Sequence, residues 1–141
     1  MCIYLRRLLP AFVIAIVGLT SLGCSATATS NPKSIEQPVS ITLQQVTMDE
    51  AMRAWRSKEA IFIDVRTPEE YKQGHVPGAF LIPLSELDSR RAEVVKDKKV
   101  LLICRSGSRS AEANFILQKR GFTNTVSVNG GMNEWREAVE K

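Results

Sequence analysis

The chain has one histidine, His75, and three cysteines, Cys2, Cys24 and Cys104, among 141 residues. The cysteines are far apart, so there is no C-x-x-C redox pair. One imidazole and scattered thiols also give too few ligands for a zinc site, so no metal is expected. Basic residues form no run and do not interleave with aromatic ones, which argues against a nucleic-acid-binding surface. The net charge is only +4, and setting aside Arg6 and Arg7 near the N-terminus leaves 17 basic against 15 acidic residues. No internal repeat is visible. What remains is a chain of one-domain length, 44% hydrophobic and 24% charged, with ordinary means to build a core.

The N-terminus stands apart in composition. Met1 to Arg7 carries two arginines and no acid, and Leu8 to Gly23 is apolar apart from Thr20 and Ser21. A charged start followed by an apolar run is the pattern of a bacterial secretory signal, here 1–23. The apolar run is short for a spanning helix, which needs about 20 residues. It ends in Ser21-Leu22-Gly23-Cys24, which resembles the lipobox of bacterial lipoproteins and makes Cys24 the candidate lipidation site; Ser21 departs from the usual aliphatic residue. Plain signal cleavage and an uncleaved anchor are the alternatives. Residues 24–38 are rich in Ser, Thr, Ala, Pro and Asn and read as a flexible tether, with the folded domain at 39–141. The expected location is the periplasmic side of a bacterial cell envelope, held to the membrane by an N-terminal lipid, or secreted to the periplasm.

The stretch of greatest chemical interest is Val100-Leu101-Leu102-Ile103-Cys104-Arg105-Ser106-Gly107-Ser108-Arg109-Ser110. Four apolar residues predict a buried strand. The pattern then breaks, and Ala111, Phe115 and Ile116 return at helical spacing up to Gly121. Cys104 therefore falls where a strand ends and a helix begins. The first N–H groups of a helix are unpaired and carry partial positive charge. Gly107 allows the loop to curl so that its N–H groups form an anion nest, and Arg105 and Arg109 add charge. All of this lowers a thiol pKa. The plainer reading, a cysteine filling a core position, does not account for the small and charged residues that follow.

Strands and helices alternate around this stretch. Strands are predicted at Ile41–Val46, Ala60–Ile63, Ala79–Ile82, Val100–Ile103 and Thr125–Val128. Thr47-Met48-Asp49-Glu50 and Thr67-Pro68-Glu69-Glu70 have the form of capping boxes that open helices, the second with Pro at the first helical position. Gly74 is placed to end the second helix, and Gly121 the one after Cys104, with Phe122 folding back onto it. Pro83 to Val95 is expected to hold one or two short helices carrying Leu84 and Leu87. Asn129-Gly130-Gly131 is expected to turn into a last helix bearing Met132 and Trp135. The alternation predicts an α/β fold, a parallel sheet with helices on both faces. Asp64, Arg66 and Cys104 fall beyond the carboxyl ends of strands, where such sheets bind ligands. His75 lies in a Gly/Pro turn and reads as structural.

Four pieces together resemble a rhodanese domain over Val39 to Glu140: Ile63-Asp64-Val65-Arg66; Glu70-Tyr71 with Gly74-His75-Val76-Pro77-Gly78-Ala79; Cys104-Arg105-Ser106-Gly107-Ser108-Arg109-Ser110; and Asn129-Gly130-Gly131-Met132 with Trp135. The resemblance implies a three-layer α/β/α domain with a five-stranded parallel sheet, sulfurtransferase activity of the thiosulfate type, and no cofactor. Cys104 would carry a persulfide between a small-molecule sulfur donor and a thiophilic acceptor such as cyanide or a thiol, a protein thiol among them. Arg105, Ser106, Gly107, Ser108 and Arg109 would form the substrate loop. Asp64 and Arg66 would be a supporting charge pair, and the protein a monomer. Two other functions compete. One is a non-enzymatic rhodanese-like binding or sulfur-carrier module. The other is a cysteine-dependent phosphatase or arsenate reductase, whose loops place five residues between Cys and Arg, whereas four stand between Cys104 and Arg109.

Overall fold

The computed structural model describes residues 42–141. The expected signal, the tether, Cys24 and the first residue of the first expected strand, Ile41, lie outside the described residues. Strands β1 (Gln45–Val46), β2 (Ala60–Asp64), β3 (Phe80–Leu81), β4 (Lys99–Ile103) and β5 (Thr125–Val128) form one sheet in the order β1-β5-β4-β2-β3. Every neighbouring pair is parallel. The helices are α1 (Met48–Arg56), α2 (Pro68–Gln73) and α3 (Ser108–Lys119).

The apolar runs follow from burial on both faces. In β2, Phe62 joins a core with Leu101, Ile103 and the Met48, Ala51 and Met52 side of α1. Its neighbour Ile63 joins the opposite core, with Val100, Leu102 and the Ala113 and Leu117 side of α3. Strands wet on one face alternate, whereas strands covered on both read as continuous apolar runs. The α/β/α layering is thus written into residues 61–63 and 100–103. Both capping boxes form: Thr47 accepts from the Glu50 N–H and Thr67 from the Glu70 N–H, each glutamate reaching back. After α3, the Gly121 and Phe122 N–H groups bond to the Gln118 and Leu117 carbonyls, a Schellman ending that turns Phe122 into the core.

Several expectations are corrected. The expected last helix is a single 3-10 turn, Gly131–Asn133, because Gly130 and Gly131 both have positive φ and the next N–H groups bond elsewhere. Trp135 is nevertheless core, packing edge-on against Trp55 at 5.6 Å and Phe62 at 5.9 Å. Residues 83–95 hold turns and one 3-10 turn, Arg91–Glu93, with Leu87 fully buried. β1 and β3 each keep two residues, since each is an edge strand with a partner on one side only. On α3 the buried face is Ser110, Ala113, Asn114 and Leu117, and Phe115 is exposed.

Candidate active site

The chain runs outward from β2 to β3, then reverses to β4 on the other side of β2. The crevice at such a reversal, beyond the strand carboxyl ends, is where open α/β sheets bind ligands. Asp64 ends β2 opposite Ile103, the last residue of β4. Cys104 follows at once, and the loop Arg105-Ser106-Gly107 leads into α3.

Cys104 is 1% exposed. Its sulfur accepts from the Gly107 N–H at 3.1 Å and lies 3.7 Å from the Ser110 hydroxyl. Burial pushes the thiol pKa up. The Ser110 N–H and hydroxyl, with the N–H groups of Ser106 and Gly107, overcome that and hold it below the ordinary value. The sulfur therefore occupies the place of a helix cap: α3 has no side-chain cap, and Gly107 stands before it with φ of +100°. That left-handed turn aims the loop N–H groups inward. A Cβ there would lie 3.3 Å from Gly130 N and 3.4 Å from Val128 O.

The Asn129-Gly130-Gly131-Met132 segment props the loop from behind. Met132 N–H donates to the Cys104 carbonyl at 2.8 Å and Asn133 N–H to the Arg105 carbonyl at 3.0 Å. The backbones approach so closely that a Cβ on Gly131 would lie 2.3 Å from Cys104 O. This support went unrecognised in the sequence, where the segment reads as the turn into a helix.

The two loop arginines differ. Arg105 is exposed and has no ion-pair partner among the described residues. Arg109 makes a two-pronged bridge to Glu70, at 2.7 and 2.8 Å, tying α3 to α2. That contact holds the Glu70 carboxyl down at about 2 and raises the Arg109 pKa. Arg109 therefore meets the loop as half of an ion pair, which tempers the electropositive role expected of it. Ser106 and Ser108 are exposed on the loop.

Asp64 and Arg66 are brought together as the expected charge pair. The Arg66 guanidinium contacts both Asp64 carboxylate oxygens, Nε reaching Oδ1 and Oδ2 at 2.9 Å and Nη2 reaching Oδ2 at 2.6 Å, and the Arg66 backbone N–H adds a fourth bond, to Oδ1 at 2.9 Å. Asp64 is fully buried and Arg66 nearly so; Arg66 also donates to the Gly74 carbonyl at 2.8 Å. The pair ties the end of β2 to the end of α2. His75 is buried, stacked on Tyr71, with Nδ1 donating to the Tyr71 carbonyl at 3.0 Å, a packing role.

A polar seam behind the sulfur also escaped sequence reading. Ser110 contacts Ser127 of β5 at 2.9 Å, and Thr125 donates to Asn114 at 2.8 Å, all four fully buried. The available signal was Thr125 and Ser127 alternating with valine in a strand covered on both faces. Among the described residues no group of three or more His, Cys, Asp or Glu side chains is placed to hold a metal.

Comparison with known proteins agrees with this fold. The rhodanese-like domain family model matches residues 47–138. The putative sulfur carrier protein YrkF of Bacillus subtilis is 35% identical over 97 residues, covering 69% of this chain and 48% of that protein. A sulfurtransferase of Allochromatium vinosum is 34% identical over 79 residues, covering 56% of this chain and 74% of that one. The chain thus spans about half to three quarters of the length of these curated relatives. The crystal structure of a rhodanese-like domain protein from Staphylococcus aureus superposes with a TM-score of 0.64 at 33% identity, covering 69% of this chain and 96% of that one.

Proposed function

Because the chain belongs to the rhodanese-like domain family, we propose that it is a sulfurtransferase that carries a sulfane sulfur on Cys104. The observation that supports this most directly is the convergence of loop N–H groups on the Cys104 sulfur, which favours the thiolate in a nearly buried site. The thiolate, not the thiol, is the nucleophile. It attacks the outer sulfur of a donor such as thiosulfate. A bond forms between Sγ and that sulfur while the donor's own S–S bond breaks, its electron pair leaving on sulfite. The new persulfide anion faces the same N–H groups. An acceptor thiophile, cyanide or a thiol, then attacks the terminal sulfur, and the Cys104 thiolate departs unchanged. Exposed Arg105 guides anionic donors to the loop mouth.

Cys104 is the one cysteine among the described residues, and the acceptor in this reading is a separate molecule. The Bacillus relative's name, sulfur carrier, fits a protein thiol in that role. We further propose a monomer anchored by a lipid on Cys24 at the periplasmic side of a bacterial envelope. Replacement of Cys24 by Ala then alters processing and releases the protein; unchanged mass and membrane association would reject the anchor.

The test of the chemistry is intact mass after thiosulfate treatment, with a reductant control, and donor-dependent thiocyanate production. The wild type gains one reducible sulfur, and Cys104→Ser gains none and makes no thiocyanate. Arg105→Ala is milder, weakening the use of anionic donors. Sulfur transfer that survives in Cys104→Ser rejects the mechanism.

A further inference from the structure

Two buried polar pairs cross between α3 and β5. Thr125 meets Asn114, whose Nδ2 continues to the Gln44 carbonyl at 3.1 Å. Ser127 meets Ser110, and only this pair reaches the sulfur. Burying a hydroxyl pair brings a desolvation cost that its hydrogen bond does little more than offset. Packing alone therefore gives no reason for Ser127 in a strand flanked by Val126 and Val128.

The proton directions supply one. Ser110 has a single hydroxyl proton and three neighbours: the Gly107 carbonyl at 2.9 Å, Ser127 Oγ at 2.9 Å and Cys104 Sγ at 3.7 Å. Ser127 Oγ has no other hydrogen-bond partner among the described residues, so both hydroxyl protons find an acceptor only when Ser110 donates to the Gly107 carbonyl. The Ser110–Ser127 contact must then be made by the Ser127 proton. With Ser127 donating into it, the Ser110 oxygen directs its own proton away from β5, towards the loop. When the sulfur ionises, the same proton need only turn from Gly107 O towards Sγ. Donation into a hydroxyl also polarises it and makes it a better donor.

We propose that Ser127 is a positioning residue for Cys104: its hydroxyl donates to Ser110 and so reserves the single Ser110 proton for the loop and the sulfur. This rests on the thiolate reading of Cys104 and deepens it.

The experiment is the pH dependence of iodoacetamide alkylation in the full chain, read at Cys104 by peptide mass. Ser127→Ala raises the midpoint by about half a pH unit, roughly a threefold loss of thiolate below the midpoint. Ser127→Thr keeps a hydroxyl and the wild-type midpoint. Ser110→Ala moves the midpoint at least as far as Ser127→Ala, and adding Ser127→Ala to it moves it no further, as expected of one residue acting through the other. Thr125→Val breaks the neighbouring pair and leaves the midpoint alone. An unmoved midpoint in Ser127→Ala, an equal shift in Ser127→Thr or Thr125→Val, or additivity with Ser110→Ala overturns the role of Ser127. A wild-type midpoint at the free-thiol value of about 8.5 overturns the thiolate reading itself, and the role of Ser127 with it. A low wild-type midpoint with an unmoved Ser127→Ala overturns the role of Ser127 alone.

Discussion

The three α-helices among the described residues begin in two different ways. α1 and α2 open on Thr47 and Thr67, whose side chains and partner glutamates satisfy the first N–H groups locally. α3 opens on Gly107, with no side chain to do so, and the N–H groups left over point at Cys104. A helix start that caps itself is a stability device, worth about 1 kcal/mol. One left open beneath a thiol is a chemical device, because unmet donors favour the anion. The open start also draws on outside support, since within α3 only Ser110 and the Ala111 N–H bind back to the loop, both at the Gly107 carbonyl. The 3-10 turn at Gly131–Asn133 supplies it through the Cys104 and Arg105 carbonyls.

The largest expected effect comes from removing that support. Gly131→Ala places a Cβ against Cys104 O at 2.3 Å and asks alanine to hold φ of +56°. Backbone would have to move. The expected loss is about 2–4 kcal/mol in denaturant unfolding, with a raised Cys104 alkylation midpoint as the loop N–H groups lose their aim. A stable Gly131→Ala variant with an unshifted midpoint would show that the loop holds itself and that the contrast between the helix starts is overdrawn.

The self-capped starts give the complementary result. Thr47→Ala and Thr67→Ala each remove one side of a capping box, at an expected cost of about 1 kcal/mol. Neither touches the sulfur, so the Cys104 midpoint stays where it is. If either cap moved that midpoint by as much as Gly131→Ala, the division between structural and chemical helix starts would fail.

How far this was readable in sequence follows the same division. Caps are local: Thr-x-x-Glu carries its own geometry, and both boxes appear where the spacing placed them. The buried strands were legible because residues 61–63 and 100–103 have no polar alternation to disguise them. Cys104 was legible as a break in such a run. Its support was not, because Gly131 meets Cys104 across a chain separation that no local pattern encodes. The pairing of Ser110 with Ser127 is hidden for the same reason, since neither residue announces the other. Met132 and Trp135 have helical spacing, yet the two glycines before Met132 serve the loop and no last helix forms.

Glu70 joins the two kinds of start. Among the described residues the carboxylate of Glu50, its counterpart in α1, bonds only to its own cap residue, Thr47. Glu70 bonds back to Thr67 N at 3.2 Å and also binds the Arg109 guanidinium through both oxygens. Glutamine can still complete a capping box, but it carries no charge, so Glu70→Gln isolates the second function. The Glu70 pKa falls from 4.5 to about 2 on folding, so the folded state binds fewer protons than the unfolded state between those values. The stabilisation is therefore whole above about pH 4.5 and is lost as pH falls towards about 2. Both side chains are partly exposed, and screening keeps the pair below about 1 kcal/mol. Acid unfolding of Glu70→Gln should accordingly be flatter than wild type in that window, with little change at neutral pH. At the sulfur the sign is opposite to that of the loop variants. The interaction of Arg109 with the Cys104 thiolate is already favourable, and loss of the Glu70 charge leaves it uncompensated. The Cys104 midpoint should drop by about 0.2–0.5 of a unit, more at low salt than at high. A midpoint that rises in Glu70→Gln would mean that the bridge positions the loop more than it offsets charge, and that the open start of α3 depends on α2 for its geometry.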